Sequence, residues 1–180
     1  MLGFDTSWHR LQPVSVVLAL LLCACVPGPV PPPLQYQPLS GPDPPMLELG
    51  SSNPDVRILG DVMEAPGARG ALWTHAHPRL SFQLNRTHDL DFHMRFGVHT
   101  KTFADTGPVT LTIRLNGEVI DRPRIETPGV RDYTHPAPER VLQLHNPVEV
   151  AIDVAPGWVA EDKEVLGILL FMIGFEEHRQ

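Results

Sequence analysis

The clearest hydrophobic pattern in the chain is a strict alternation that runs from Leu90 to His99. The even positions through Val98 are all apolar, whereas the odd positions are polar apart from Gly97. A period of two residues indicates a β-strand with one buried and one open face. We therefore expect the apolar face to lie in a core, while the other face carries histidines and charges.

Similar alternation recurs along the rest of the C-terminal part, at spacings near ten residues and without a helical period. Asn116-Gly117 between two such runs is typical of a type I′ hairpin turn, because both residues tolerate positive φ. The last run is apolar almost throughout, which indicates a central strand covered on both sides. The pattern predicts an all-β antiparallel sandwich of about eight or nine strands. The predicted strands are 56–62, 71–76, 80–84, 90–98, 109–115, 118–125, a short piece around Tyr133, 148–154 and 165–175.

An apolar run at residues 14–24 has the length of a signal-peptide core and is too short to span a bilayer. It ends in Leu22-Cys23-Ala24-Cys25. This ending resembles the lipobox of bacterial lipoproteins, in which a leucine stands three residues before the modified cysteine. The resemblance implies removal of residues 1–24 and acylation of Cys25, and hence a lipid anchor in the bacterial cell envelope. An ordinary cleaved signal and an uncleaved anchor are the alternatives.

Proline dominates the stretch that follows Cys25. Residues 26–54 hold ten of the 20 prolines of the chain and show no apolar periodicity. Such a segment favours polyproline II and acts as a semi-rigid spacer, although a proline-rich ligand for a recognition domain is the alternative. We therefore divide the chain into a signal peptide (1–24), a lipidated linker (25–54) and a sandwich domain (55–180).

Charge and cysteine content narrow the function classes. The formal net charge is −7 and the basic residues are scattered singly, which argues against a nucleic-acid partner. Both cysteines, Cys23 and Cys25, precede the domain, so they provide no disulfide framework for it. The chain has no GxSxG elbow, glycine-rich phosphate loop or cysteine nucleophile in the domain, so we expect neither enzymatic activity nor a cofactor.

Three segments of the domain carry a family resemblance: residues 105–112, the hairpin Leu115-Asn116-Gly117, and residues 162–169 leading into the last strand. In this order they resemble the galactose-binding-like jelly-roll sandwiches of bacterial surface proteins, many of which are carbohydrate-binding modules. The resemblance covers most of residues 55–177. It implies a jelly-roll fold with a ligand on loops at one rim or on a concave sheet face.

Sugar binding needs aromatic faces for the pyranose and polar groups for its hydroxyls. The sequence offers Trp158, Tyr133 and Trp73 as aromatic candidates, and His93, Arg95 and His99 as polar ones. We expect a non-catalytic binding module for a glycan. The alternative is a structural or assembly lipoprotein that presents a surface to an envelope protein.

His75 and His77 fall on one face of an extended segment. Two imidazoles at this spacing can chelate a metal when a third ligand is near, but solvent-facing histidines are the ordinary outcome, so we predict no metal site.

Overall fold

The computed structural model describes residues 44–63 and 70–178. The predicted signal peptide, Cys25 and most of the predicted linker lie outside this range. Neither described helix is long and apolar enough to cross a membrane. The described elements are β1 (Met46–Glu48), β2 (Val56–Val62), β3 (Leu72–Phe82), β4 (Leu90–Val98), α1 (Thr100–Thr106), β5 (Val109–Leu115), β6 (Glu118–Asp121), β7 (Arg124–Ile125), β8 (Gly129–Pro136), α2 (Glu139–Leu142), β9 (Val148–Ala155), β10 (Trp158–Val159) and β11 (Val165–Glu177).

The strands form two antiparallel ladders that share one strand, in the orders β8-β4-β11-β3 and β3-β9-β5-β6. Along the chain the connections cross repeatedly from one sheet to the other, which is the arrangement of a jelly roll. The predicted all-β antiparallel sandwich is confirmed, with eleven described strands in place of eight or nine. The additional strands β1, β7 and β10 have two or three residues each, which is too short for an alternating pattern.

The shared strand β3 joins two segments that the sequence predicted as separate strands. Its first half pairs with β11 through Leu72 and His75, and its second half pairs with β9 from Arg79 to Phe82. Pro78 stands between the two ladders, where its missing N–H removes no hydrogen bond from either of them. A proline is therefore tolerated within a strand of 11 residues.

The apolar face of β4 lies in the core, as its alternation predicts. Its five inward residues are buried, with Phe92 in edge-to-face contact with Phe175 of β11 at a ring separation of 5.9 Å. Phe175 makes a similar contact with Phe82 of β3 at 5.5 Å. Such aromatic pairs add to the hydrophobic burial that holds the sheets together.

Strand β11 is central, as predicted, with β3 on one side and β4 on the other. The prediction that both of its faces are covered is wrong, because only every second residue from Leu166 to Leu170 is buried and the residues between them are partly exposed. Its glycines mark close backbone approaches. A Cβ at Gly167 would lie 2.4 Å from the carbonyl oxygen of His75, and one at Gly174 would lie 2.4 Å from that of Pro45. The second approach brings β1 against β11, so the sheet includes residues that the sequence assigned to the linker.

The predicted hairpin joins β5 and β6, and Asn116 and Gly117 have φ values of 47° and 83°. The return strand breaks at Arg122-Pro123 into β6 and β7, because proline cannot donate to the ladder. Helix α1 was not predicted. It begins after His99, whose side chain accepts a hydrogen bond from the Lys101 amide, and with seven residues it is too short to show a period.

Candidate functional site

A solvent-open groove of about 490 Å³ lies on the outer face of the sheet that contains β4. We call it the β4 groove. It draws its lining from the end of β1 and the turn after it, from β4 and β8, and from the middle of β11. The lining residues are Glu48, Leu49, Gly50, Ser51, Gly70, Arg95, Val130, Phe171 and Met172.

The floor of the β4 groove is apolar and is built over Gly97. An added Cβ at Gly97 would lie 3.4 Å from the ring of Phe171 and 3.4 Å from a methyl group of Val130. Both distances are those of van der Waals contact, so the Phe171 ring and the Val130 methyl group lie directly over Gly97. Gly97 was the exception on the polar face of β4 in the sequence, and it is buried beneath these two side chains.

Two charged side chains flank the floor. Arg95 of β4 and Glu48 of β1 are both opposite Met172 of β11, one on each side. Two strand spacings of about 4.8 Å place their backbones roughly 10 Å apart. The groove thus presents a cation and an anion on either side of an apolar strip.

The predicted polar face of β4 is only partly open to solvent. The Arg95 side chain is 54% exposed, whereas that of His93 is 14% exposed and Asp91 is buried. His93 lies between Glu176, 3.5 Å from its Nδ1, and Asp132, 3.7 Å from its Nε2. The carboxylate of Asp91 lies 2.9 Å from the Nδ1 of His178. Arg95 is therefore the most exposed of these three side chains.

The predicted aromatic residue Trp158 lies at the rim where β4 ends and α1 begins. Its Nε1 donates a hydrogen bond to Asp105 at 2.9 Å, and the Lys101 ammonium lies 5.5 Å from its ring centre. Trp73 and His99 pair at 6.1 Å between ring centres. The indole of Trp158 is thus held by side chains of α1, and a sugar stacking on it would compete with Lys101.

Tyr133 of β8 is half-buried and bridges the outer strands of the two sheets. Its hydroxyl donates a hydrogen bond to Asp121 of β6 at 2.6 Å, and its ring stacks on His135. This hydrogen bond lowers the pKa of the Asp121 carboxyl against a weaker effect of burial. Burial, followed by the hydrogen bond to Asp121, raises the pKa of Tyr133 well above its ordinary value. The hydrogen bond between Tyr133 and Asp121 therefore connects β8 to β6.

We expect Tyr133→Phe to lower the free energy of unfolding by about 1 kcal/mol at pH 7, because solvent reaches Asp121 and weakens the lost hydrogen bond. A carboxyl with a lowered pKa stabilises the fold above about pH 4, and this contribution disappears as the pH falls below that value. A tyrosine with a raised pKa contributes fully below about pH 10 and loses this contribution as the pH rises further. Urea titrations should therefore show the largest difference between the two proteins from pH 5 to 9. If the difference in free energy of unfolding stays constant from pH 2.5 to 11, the hydrogen bond between Tyr133 and Asp121 does not stabilise the fold.

The six predicted ligand residues fall at three places in the fold. Arg95 lines the β4 groove with His93 beside it, while Trp158, Trp73 and His99 lie towards the rim at α1, and Tyr133 lies at the β8 edge. Trp158 is opposite Leu166 of β11, whereas Tyr133 is opposite Met94, which pairs with Ile173. Seven residues of strand separate these positions, or about 23 Å. The predicted aromatic residues do not converge on one concavity.

Sequence reasoning missed the apolar lining of the groove. Phe171 and Met172 belong to a strand that is apolar at nearly every position, so nothing in the pattern marks them as facing outward. The available signal was Gly97, the single small residue on an otherwise polar face. A glycine at such a position marks a site where a neighbouring group approaches the backbone.

His75 and His77 lie on one face of β3, as the sequence predicts, but each has its own carboxylate partners. His75 lies 3.6 Å from Asp61 and 3.5 Å from Glu164, and His77 lies 2.9 Å from Asp153. Burial raises the pKa of Asp153, but hydrogen bonds from Arg114 and His77 outweigh it, so the net shift is downward. Within residues 44–63 and 70–178, no three His, Cys, Asp or Glu side chains are grouped to hold a metal ion.

The β4 groove is therefore the best-formed candidate site in the described part of the chain, with one predicted residue, Arg95, in its wall. No protein-family model matches the chain, and no curated protein sequence matches it significantly.

Proposed function

We propose that this protein is a lipid-anchored bacterial envelope lipoprotein whose sandwich domain binds glycan in the β4 groove without catalysis. The observation that carries the proposal is the combination of an aromatic, apolar floor at Phe171 with the polar walls of Arg95 and Glu48. A pyranose has an apolar face that stacks on an aromatic ring and a rim of hydroxyls that need polar partners. The groove provides both kinds of contact.

The size and position of the groove fit this role. A volume of about 490 Å³ falls within the usual range for small-ligand sites. One wall comes from Glu48 and the turn that follows it, which lie near the C-terminal end of the proline-rich stretch. On the proposed topology, that stretch spaces the domain from the membrane by about 3 Å per residue. The domain would then sample glycans close to the envelope surface.

Removing the aromatic floor should abolish most of the binding. We expect Phe171→Ala to weaken glycan binding by at least tenfold, because stacking and apolar contact at the centre of a site dominate its affinity. The measurement is binding of the full chain to an array of bacterial envelope and extracellular glycans, followed by titration of the strongest binder.

Leu144→Ala is the matched control, because it also truncates an apolar side chain, and Leu144 is exposed and does not line the groove. Trp158→Ala tests whether the glycan binds at the rim near α1 and not in the β4 groove. If Trp158→Ala reduces binding and Phe171→Ala leaves it unchanged, the groove assignment is wrong. Absence of any glycan binding by the wild-type chain would refute the proposed function.

A second candidate function is supported by a separate surface. Val159 of β10 and Val165 of β11 are opposite each other and are 63% and 42% exposed. An exposed apolar pair is a feature of surfaces that contact other proteins. On this alternative, the domain would present the β10 rim to an envelope protein and the groove would have no ligand.

A further inference from the structure

We infer that the sugar held in the β4 groove is acidic and that its carboxylate pairs with the guanidinium of Arg95. This inference rests on the proposed glycan function and specifies the class of glycan. It follows from the charges that surround the groove and from the partners that Arg95 has in the fold.

Arg95 is the one cation among the described residues that line the β4 groove. It projects from the middle of β4, beside the apolar floor formed by Phe171. A planar guanidinium forms two parallel hydrogen bonds with a carboxylate, which gives both affinity and orientation. A carboxylated sugar lying over the floor would place its anion against this side chain.

The fold leaves the guanidinium available. Among the described residues, the carboxylate nearest to Arg95 is that of Asp132, with 3.9 Å between Nε and Oδ1. That distance exceeds a hydrogen bond. The side chain of Asp132 is mostly exposed and also lies 3.7 Å from Nε2 of His93, so Arg95 shares this partner. A ligand carboxylate can therefore bind Arg95 without breaking a formed bidentate pair.

Glu48 on the far wall limits the kind of anion that fits. With Glu48 and Asp132 both nearby, the groove does not attract anions in general, and a highly charged phosphate group would meet repulsion. A monosaccharide unit with one carboxylate suits the arrangement, because its hydroxyls can donate to Glu48 while its carboxylate accepts from Arg95. We therefore assign the ligand to uronic acids and other sugars with a single carboxyl group.

The test measures binding of the full chain to paired oligosaccharides that differ only in charge. Oligogalacturonate, oligoglucuronate, alginate oligomers and a muramic-acid disaccharide are each compared with their carboxyl methyl esters. We expect at least one acid to bind at least tenfold more tightly than its ester, since a hydrogen bond to a charged group is lost on esterification. Arg95→Gln should reduce binding of the acid to the level of the ester.

Two further variants test whether the effect of charge is specific to Arg95. Asp132→Asn removes the competing carboxylate, so it should strengthen binding of the acid and leave binding of the ester unchanged. Arg57→Gln removes the same charge from an exposed position on β2 outside the groove and should have no effect.

The outcomes separate this inference from the proposed function. If acid and ester bind equally and Arg95→Gln changes neither, the inference is wrong while glycan binding stands. If neither these sugars nor any neutral glycan on the array binds, the proposed function fails, and the inference fails with it.

Discussion

Phe92→Asp is expected to leave the domain unfolded at neutral pH and 25 °C. The Phe92 side chain is fully buried and packs between the rings of Phe175 and Tyr133, so the substitution removes aromatic contacts from the centre of the sandwich. Truncating a buried phenylalanine costs about 3–5 kcal/mol, and an unpaired carboxylate in the same place costs several more. Domains of this size have a free energy of unfolding of only about 5–15 kcal/mol.

Circular dichroism and urea titration would measure the effect. Phe92→Leu is the matched control, because it keeps an apolar side chain and should lower stability without abolishing the cooperative transition. A cooperative transition of Phe92→Asp with wild-type midpoint would mean that Phe92 does not lie in the core.

Cys25→Ser is expected to move the protein from the membrane fraction to the soluble fraction. On the proposed anchoring, the acyl chains on Cys25 supply the membrane affinity, and stable attachment needs more than one lipid signal. Serine has no thiol to carry the thioether-linked lipid. The expected result is therefore complete loss of labelling by a radioactive or clickable fatty acid, together with release on cell fractionation.

Cys23→Ser provides a matched control two residues away. It also removes a thiol, but at the variable position of the lipobox-like sequence, so lipid labelling and membrane partitioning should be retained. If Cys25→Ser stays in the membrane and still takes up label, the lipid anchor is assigned to the wrong residue or does not exist.

The strands with long alternating patterns could be predicted from the sequence, because burial of one face determines which residues must be apolar. This holds for β4, for the β5–β6 hairpin and for the central placement of β11. The elements that were missed are too short to show a pattern of their own. Strand β1 is fixed by close approach to Gly174, and α1 by a cap at its first turn.

The candidate site was predictable only in part. Arg95 was identified because it stands on a polar face, and that face is defined by a regular period of two. Phe171 and Met172 were not, because the pairing of β11 with β4 shifts register between Leu170 and Met172. This irregularity brings two consecutive residues into the lining of the groove. A shift of one residue reverses the face of every position after it, and a strand that is apolar on both faces gives no sign of where the shift occurs.

Because β11 lies at the centre of its sheet, the sheet depends on the last described strand of the chain. Strands β3 and β4 are hydrogen-bonded to β11 and not to each other, so their sheet cannot be completed before residues 165–177 are available. Contacts across such long sequence separations form late and slowly. On the proposed export route, the chain would thus stay loose enough to be threaded through a secretion channel until its final described strand emerges on the far side. The same placement would tie folding of the domain to the emergence of β11.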